Sequence, residues 1–235
     1  MGVTTTAPRP LQHGPGYSWT LLWYLLLGLL FAGVMAFATL QPLKVLPRIG
    51  LSPGYALVDQ DGQRLTSEDL RGKLVLYNFT YTACTQACPQ TGAAMQAVQA
   101  HLAEFETLGL PVQLVTVFFD PVRDTPEALR LYSQQWKADP TRWRMVTGDP
   151  THLKHVIGGG FGVYYEGNPD GSYTFDPTFA LVDGAGILRA RYRTAALDTK
   201  VVERDLGLIA TEVARSQGPM RLAYEAAHLF MCYPR

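Results

Sequence analysis

Two thiols four residues apart, Cys84 and Cys88, stand where an apolar run gives way to a helical one, Leu74-Val-Leu-Tyr-Asn-Phe-Thr-Tyr-Thr-Ala-Cys-Thr-Gln-Ala-Cys-Pro89. Four residues make about one helical turn, so both sulfurs can lie on the same face of the first turn. That spacing suits a disulfide, whose Cα atoms stand roughly 4.4–6.8 Å apart. It equally suits one soft metal ion pinched between thiolates, with Cu(I) a natural candidate. The unpaired N–H groups and dipole of a helix start lower a thiol pKa, so at least one of the pair is expected to be reactive. Cys84, nearer the strand end, is expected to be the more exposed and the more nucleophilic.

The pair needs a strand before it and a helix after it. Leu74–Phe79 reads as a buried strand, and Pro89–Leu108 carries Met95, Val98, Leu102 and Phe105 at helical spacing. Val112–Phe119 reads as a second buried strand. Thr125–Trp136 reads as a helix with Thr125 as N-cap and Pro126 in the first turn. A short strand at Trp143–Val146 and a short helix at Thr151–Ile157 follow. Thr178–Val182 and Ile187–Tyr192 flank Asp183-Gly-Ala-Gly186, a hairpin by turn chemistry, and Asp198–Ala214 is a helix. Strands alternating with helices, then a hairpin and a helix, give an α/β sandwich. Asp120 closes the second strand, where an open α/β sheet presents its ligand-binding edge. It can orient a thiol or act as acid/base in disulfide exchange, or simply cap the turn before Pro121. Arg123 and Asp124 are expected to close the same loop by an ion pair.

Three segments of this chain resemble the SCO/SenC family, thioredoxin-fold proteins that serve cytochrome oxidase assembly. They are Asp59-Gln-Asp-Gly-Gln-Arg-Leu-Thr-Ser-Glu-Asp-Leu-Arg-Gly-Lys73, the C-x3-C-P motif from Cys84 to Pro89, and Phe119-Asp-Pro-Val-Arg-Asp-Thr-Pro-Glu127. The three-residue gap separates the motif from that of thioredoxins, which use two. The resemblance covers about residues 55–215 and implies a thioredoxin-like α/β fold with Cys84 at the start of its first long helix. It also implies that Asp120 lies near the cysteine loop.

One family feature is missing. SCO proteins carry a metal-binding His just before a late strand, and here that stretch reads Tyr173-Thr-Phe-Asp-Pro-Thr-Phe-Ala-Leu-Val-Asp183. Asp176-Pro177-Thr178 stands there instead and resembles the thioredoxin cis-proline loop, which would place Pro177 opposite the active cysteines. If copper is bound, Asp176 could complete the site. So could His228, which with Cys232 forms an i, i+4 pair on a helix expected over Arg221–Tyr233. With imidazole missing, Cu(I) is favoured over Cu(II).

Net charge is zero, from 20 basic and 20 acidic residues, and nothing suggests a nucleic-acid partner. Three cysteines are too few for a disulfide framework. Between Arg9 and Lys44 the chain has no Asp, Glu, Lys or Arg, and Leu21–Leu40 is almost wholly apolar, enough to span the ~30 Å hydrocarbon core. Trp19, Trp23 and Tyr24 suit an interfacial belt at one end. The expected organisation is therefore a disordered tail (1–16), a membrane-spanning helix in contact with lipid (17–41), a linker (42–54), the thioredoxin-like domain (55–215) and a helical extension (216–235). The resemblance implies a single-pass protein with its globular domain outside the cytoplasm.

Three functions fit. One is a thiol–disulfide oxidoreductase that keeps a partner's cysteines reduced, such as the copper-site cysteines of an oxidase subunit of the respiratory chain. The second is a copper chaperone with Cys84 and Cys88 holding the ion. The third is a non-catalytic accessory subunit of a respiratory membrane complex.

Overall fold

The parallel strands that carry the cysteine loop are long, apolar and covered on both faces. In the computed structural model residues 2, 16–40, 44–85, 87–216, 218 and 220–230 are described, in two units, Met1–Pro42 and Leu43–Arg235. Most of the expected tail lies outside the described residues, as does Cys232. The first unit is helix α1 (Gly16–Leu40). By length and composition its Trp19–Ala36 stretch is apolar enough to cross a membrane, and none of it is buried.

The second unit is built on an eight-stranded mixed sheet. Its strands are β1 (Gly50–Leu51), β2 (Ala56–Asp59), β3 (Arg64–Thr66), β4 (Leu74–Thr80), β5 (Val112–Phe118), β6 (Trp143–Thr147), β9 (Phe179–Val182) and β10 (Ile187–Tyr192), in the order β1-β10-β9-β4-β5-β6-β2-β3. A separate two-stranded hairpin is formed by β7 (Tyr165–Gly167) and β8 (Tyr173–Phe175). The centre β4-β5-β6 is parallel, and β9 joins β4 antiparallel.

Every residue of β4 is buried, as expected of a central strand with both faces covered. Leu74 and Leu76 face a layer of helices, α2 (Cys88–His101), α3 (Pro126–Gln135) and α5 (Thr199–Arg215), through Met95, Leu129, Leu206 and Ile209. Val75, Tyr77 and Phe79 face the other way. There they pack on Val156, Ile157 and Phe161 from the segment formed by α4 (Pro150–Leu153) and a π-helical turn (Lys154–Gly160), and the β7–β8 hairpin packs on the same side. Each such side chain contributes roughly 1.5–3 kcal/mol of burial.

Helix α2 is seated by a close approach. A Cβ on Gly92 would stand 2.4 Å from ring atoms of Trp136, so only glycine lets α2 lie this near the end of α3. The helix stops at His101, earlier than its apolar spacing suggests. Leu102 and Phe105 stay buried from the turn beyond, where Leu108 and Gly109 adopt positive φ and reverse the chain. Helix α3 is capped by Thr125, whose Oγ1 accepts from Ala128 N at 3.3 Å. In the β9–β10 turn Asp183 accepts from the N–H groups of Ala185 and Ile187.

A charged cluster not foreseen from the sequence closes the other end of the domain. Buried Arg189 on β10 donates to Asp183 at 2.9 Å, to Glu212 on α5 and to the carbonyl of Leu46 at 2.8 Å. Glu212 also meets Arg48 at 3.1 Å and His228 at 2.8 Å, the latter from α6 (Met220–Phe230). Burial alone would raise the Glu212 carboxyl; the hydrogen bonds and charges of His228 and Arg189 outweigh it and hold the pKa at about 2, against an ordinary 4.5. A depressed carboxylate stabilises the fold fully above its unfolded pKa, and that contribution is lost as pH falls through the folded one. Denaturation measured from pH 6 to pH 2 is therefore expected to lose a few kcal/mol between about 4.5 and 2 through Glu212. A Glu212→Gln variant is expected to start less stable and to lack that part of the slope.

Candidate thiol site

Strand β4 delivers the chain to Tyr81, and a turn closed by Cys84 N to Tyr81 O at 3.2 Å begins the cysteine loop. Cys84 and Cys88 are joined in a disulfide with Cα atoms 5.7 Å apart. The helix begins at Cys88, not at Cys84. Cys84 therefore sits in the loop one turn ahead, half-buried, while Cys88 is the first residue of α2 and is buried. The expectation that both sulfurs share the first helical turn is corrected in this respect, although the pair still lies at the junction. Gln86, between them, is outside the described residues.

An open cleft of about 510 Å³ lies over Cys84. Ala83 and Thr85 line it on the cysteine side, and Arg123 and the β7–β8 hairpin, including Tyr173 and Phe175, line it opposite. The hairpin rests on an aromatic cluster: Tyr81 and Tyr173 have ring centres 5.1 Å apart, Phe119 and Phe175 5.4 Å, and Phe119 stacks on Tyr165 at 4.7 Å.

The loop after β5 is tied to the cysteine loop by one buried carboxylate. Asp124 Oδ1 accepts from Thr82 N at 2.9 Å and from Thr82 Oγ1 at 2.6 Å, and its Oδ2 accepts from Asp120 N at 3.1 Å. Burial pushes the Asp124 carboxyl up to about 6, against the lowering effect of these donors. The expected Arg123–Asp124 ion pair is not what forms. Asp124 is wholly buried among N–H and O–H donors, and Arg123 Nε pairs with Asp120 instead. From there Arg123 reaches the carbonyl of Gly171 in the hairpin loop and lies over the Tyr81 ring, 5.7 Å from its centre.

Asp120 is buried, and it does not line the cleft. Its carboxylate is taken up by Arg123 and by the hydroxyl of Tyr173. The Tyr173 phenol is raised first by desolvation and then by the charge and hydrogen bond of Asp120. Asp120 thus holds two residues of the cleft wall, and its geometry is that of a positioning group.

Three other sequence-derived site residues fall elsewhere. No peptide bond among the described residues is cis, so the Asp176–Pro177 bond is trans and the comparison with a cis-proline loop fails. Asp176 is exposed, its N–H bonded to Tyr164 O at 3.1 Å, and neither it nor Pro177 lines the cleft. His228 is engaged by Glu212. The Asp183–Arg189–Glu212 group around it lies toward the start of β4, where Val75 pairs with Val182, whereas the cysteines follow the end of that strand. Among the described residues no three His, Cys, Asp or Glu side chains are grouped to hold a metal ion, and neither Asp176 nor His228 lines the cleft over Cys84.

The sequence reading missed the β7–β8 hairpin and the roles of Tyr173 and Arg123. The turn-forming run Asn168-Pro-Asp-Gly-Ser172 was the available signal for the hairpin.

A mixed sheet with two cysteines at the junction of a central parallel strand and a helix is a thioredoxin-like arrangement. The chain matches the SCO1/SenC family model over residues 47–208, and it belongs to that family. The mitochondrial SCO2 homologue of Danio rerio is 29% identical over 170 residues, which cover 70% of this chain and 59% of that protein. The solved structure of Bradyrhizobium japonicum ScoI with copper bound is 25% identical with a TM-score of 0.55, covering 67% of this chain and 98% of that one. The structure of BsSco, a member of the Sco family of cytochrome c oxidase assembly proteins, has a TM-score of 0.62 and covers 71% of this chain and 98% of its own. At 20% identity the last speaks for the fold alone.

The Asp124 clamp generates a test. An asparagine offers one acceptor oxygen, so Asp124→Asn would turn an N–H group toward the Asp120 N–H. The variant is expected to lose about 1–3 kcal/mol at pH 7, measured by chemical denaturation, the cost of a buried donor left unpaired. Unchanged stability would show that the carboxylate does not hold the two loops together.

Proposed function

We propose that this protein is a membrane-anchored thiol–disulfide exchange protein that keeps client cysteines reduced during assembly of an oxidase copper site. The observation that carries the proposal is the Cys84–Cys88 disulfide, with Cys84 lining an open cleft and Cys88 buried. In the reduced protein the Cys84 thiolate attacks a sulfur of the client disulfide. An intermolecular disulfide forms and one client thiolate leaves. The Cys88 thiolate then attacks Cys84 Sγ, which restores the Cys84–Cys88 disulfide and releases the second client thiolate. Two electrons pass from the pair to the client, and a dithiol reductant resets the pair. Placement at a helix start favours the Cys88 thiolate once it forms.

Copper is proposed as cargo of the same reduced pair. Two thiolates make a soft donor set that fits Cu(I), whereas Cu(II) prefers imidazole or other nitrogen and oxygen ligands. The copper-bound Bradyrhizobium relative supports copper for this family. Helix α1 is proposed as the anchor. The globular domain is placed outside the cytoplasm, where disulfides persist. The client class proposed is a respiratory-chain subunit with copper-ligand cysteines on that side of the membrane.

A Cys88→Ser variant lacks the resolving thiol, so its mixed disulfide with a client should persist. Affinity capture from membranes after quenching is expected to recover an oxidase subunit bonded through Cys84. Stoichiometric copurification with a respiratory complex and no trapped disulfide would instead favour an accessory subunit. For copper, titration of the reduced full chain is expected to give much tighter binding of Cu(I) than of Cu(II), lost on replacing either cysteine and unchanged in His228→Ala. Tight Cu(II) binding that disappears in His228→Ala would overturn the two-thiolate assignment.

A further inference from the structure

Within the thiol-exchange proposal, on which this inference rests, we infer that the client docks as an extended strand along the outer edge of β8, the edge turned away from β7. The register of the hairpin pairs Gly167 with Tyr173, Glu166 with Thr174 and Tyr165 with Phe175. Two flanking bonds fix its hydrogen-bond phase, Asn168 N to Ser172 O at 2.8 Å and Asp176 N to Tyr164 O at 3.1 Å. Bonded and non-bonded pairs alternate in an antiparallel ladder. Glu166–Thr174 is therefore a bonded pair, while Tyr173 and Phe175 turn their N–H and C=O groups away from β7.

Two side-chain contacts agree with this phase. The Tyr173 N–H reaches outward to Tyr81 Oη at 3.4 Å, and on the opposite edge the outward carbonyl of Tyr165 is taken by Lys154 Nζ. The β7 edge is thus covered by a lysine. On β8 the Tyr173 N–H is likewise taken, by Tyr81, but Tyr173, Thr174 and Phe175 line the cleft together with Cys84.

Exposed edges in folded proteins are commonly blunted by charge, proline or a bulge. The sequence of β8, Tyr-Thr-Phe, has none of these, whereas the outer strand β3 of the main sheet carries Arg64. The cleft volume lies within the range of ligand sites. A peptide strand added there donates main-chain N–H groups to the outward carbonyls of Tyr173 and Phe175, the Tyr173 N–H staying with Tyr81 Oη, so recognition depends on an extended backbone more than on its side chains. Such a mode suits a client whose cysteines lie in an unfolded or unmetallated loop.

The test uses full-length Cys88→Ser protein in detergent and short synthetic peptides with one central cysteine, carried as a disulfide to an aromatic thiol. The Cys84 thiolate attacks the peptide sulfur, the peptide disulfide breaks, and the aromatic thiolate leaves and is followed by absorbance. Single N-methyl groups are then walked along the peptide. Strand addition predicts that methylation slows trapping about three- to tenfold at alternate positions, with the intervening positions unaffected. Trapping that proceeds equally with every methylated peptide, or that slows without a two-residue period, overturns strand addition and leaves thiol exchange standing. If no peptide is trapped, the thiol-exchange proposal fails and strand addition fails with it.

Discussion

The in-register parallel pairing of β4 with β5, from Leu74 opposite Val112 to Thr80 opposite Phe118, is the constraint on which the site depends. Parallel neighbours end at the same edge, so the loop carrying Cys84 and the loop carrying Asp120 and Asp124 emerge side by side. Neither loop has regular secondary structure to define it before α2 and α3 begin. A buried carboxylate serves in its place: Asp124 takes donors from both loops, and Arg123 extends the link to the hairpin. The cleft therefore has three walls drawn from segments distant in sequence, held by polar contacts above an apolar sheet. Such contacts are directional, which suits a site where a sulfur must meet a partner in line.

The parts legible in the sequence were those encoded along a single segment. The buried strands β4 and β5, the Thr125 cap of α3 and the Asp183 turn follow from apolar runs and local side-chain chemistry. Cys84 and Cys88 declare themselves by spacing and by their strand-to-helix setting. What the sequence hid depends on segments meeting. That Arg123 pairs with Asp120, leaving Asp124 to the backbone, is decided by which carboxylate faces Thr82 across two strands. The three-residue strands β7 and β8 are too short for a periodic signal and are stabilised by rings from Tyr81 and Phe119. Helix α2 looked longer because Leu102 and Phe105 keep helical spacing, yet both reach the core from a turn. The Asp-Pro-Thr step invited comparison with a cis-proline loop, but local sequence does not fix the isomer, and here the bond is trans.

The two ends of β4 are built on different principles. At the cysteine end a ring cluster borders an open cleft lined by the half-buried Cys84. At the opposite end Arg189 and Glu212 are buried and paired with each other, with Asp183, His228 and Arg48, and with the carbonyl of Leu46. A buried charge costs several kcal/mol unless its partners are well placed; here Arg189, Arg48 and His228 all meet Glu212, so the cluster ties α5, α6 and residues 46–48 together. Residues 46–48 follow closely on the apolar segment in sequence. The cluster therefore fixes the chain where it enters the domain, away from the end where thiol exchange would work the disulfide.

The missing imidazole shifts the balance between the two chemistries open to a cysteine pair. A third nitrogen ligand would stabilise a bound metal ion and so oppose oxidation of the thiolates it holds. With two sulfurs alone, ion and disulfide compete for the same atoms, and oxidation removes the whole donor set. The position where the family's imidazole is missing is occupied by Asp176-Pro177, which does not line the cleft, while Tyr173, Thr174 and Phe175 of the adjoining hairpin line it together with Cys84. Under the proposed function, copper as cargo of the reduced pair and exchange with another protein's sulfur therefore draw on the same two atoms, and only one of them can hold the pair at a time.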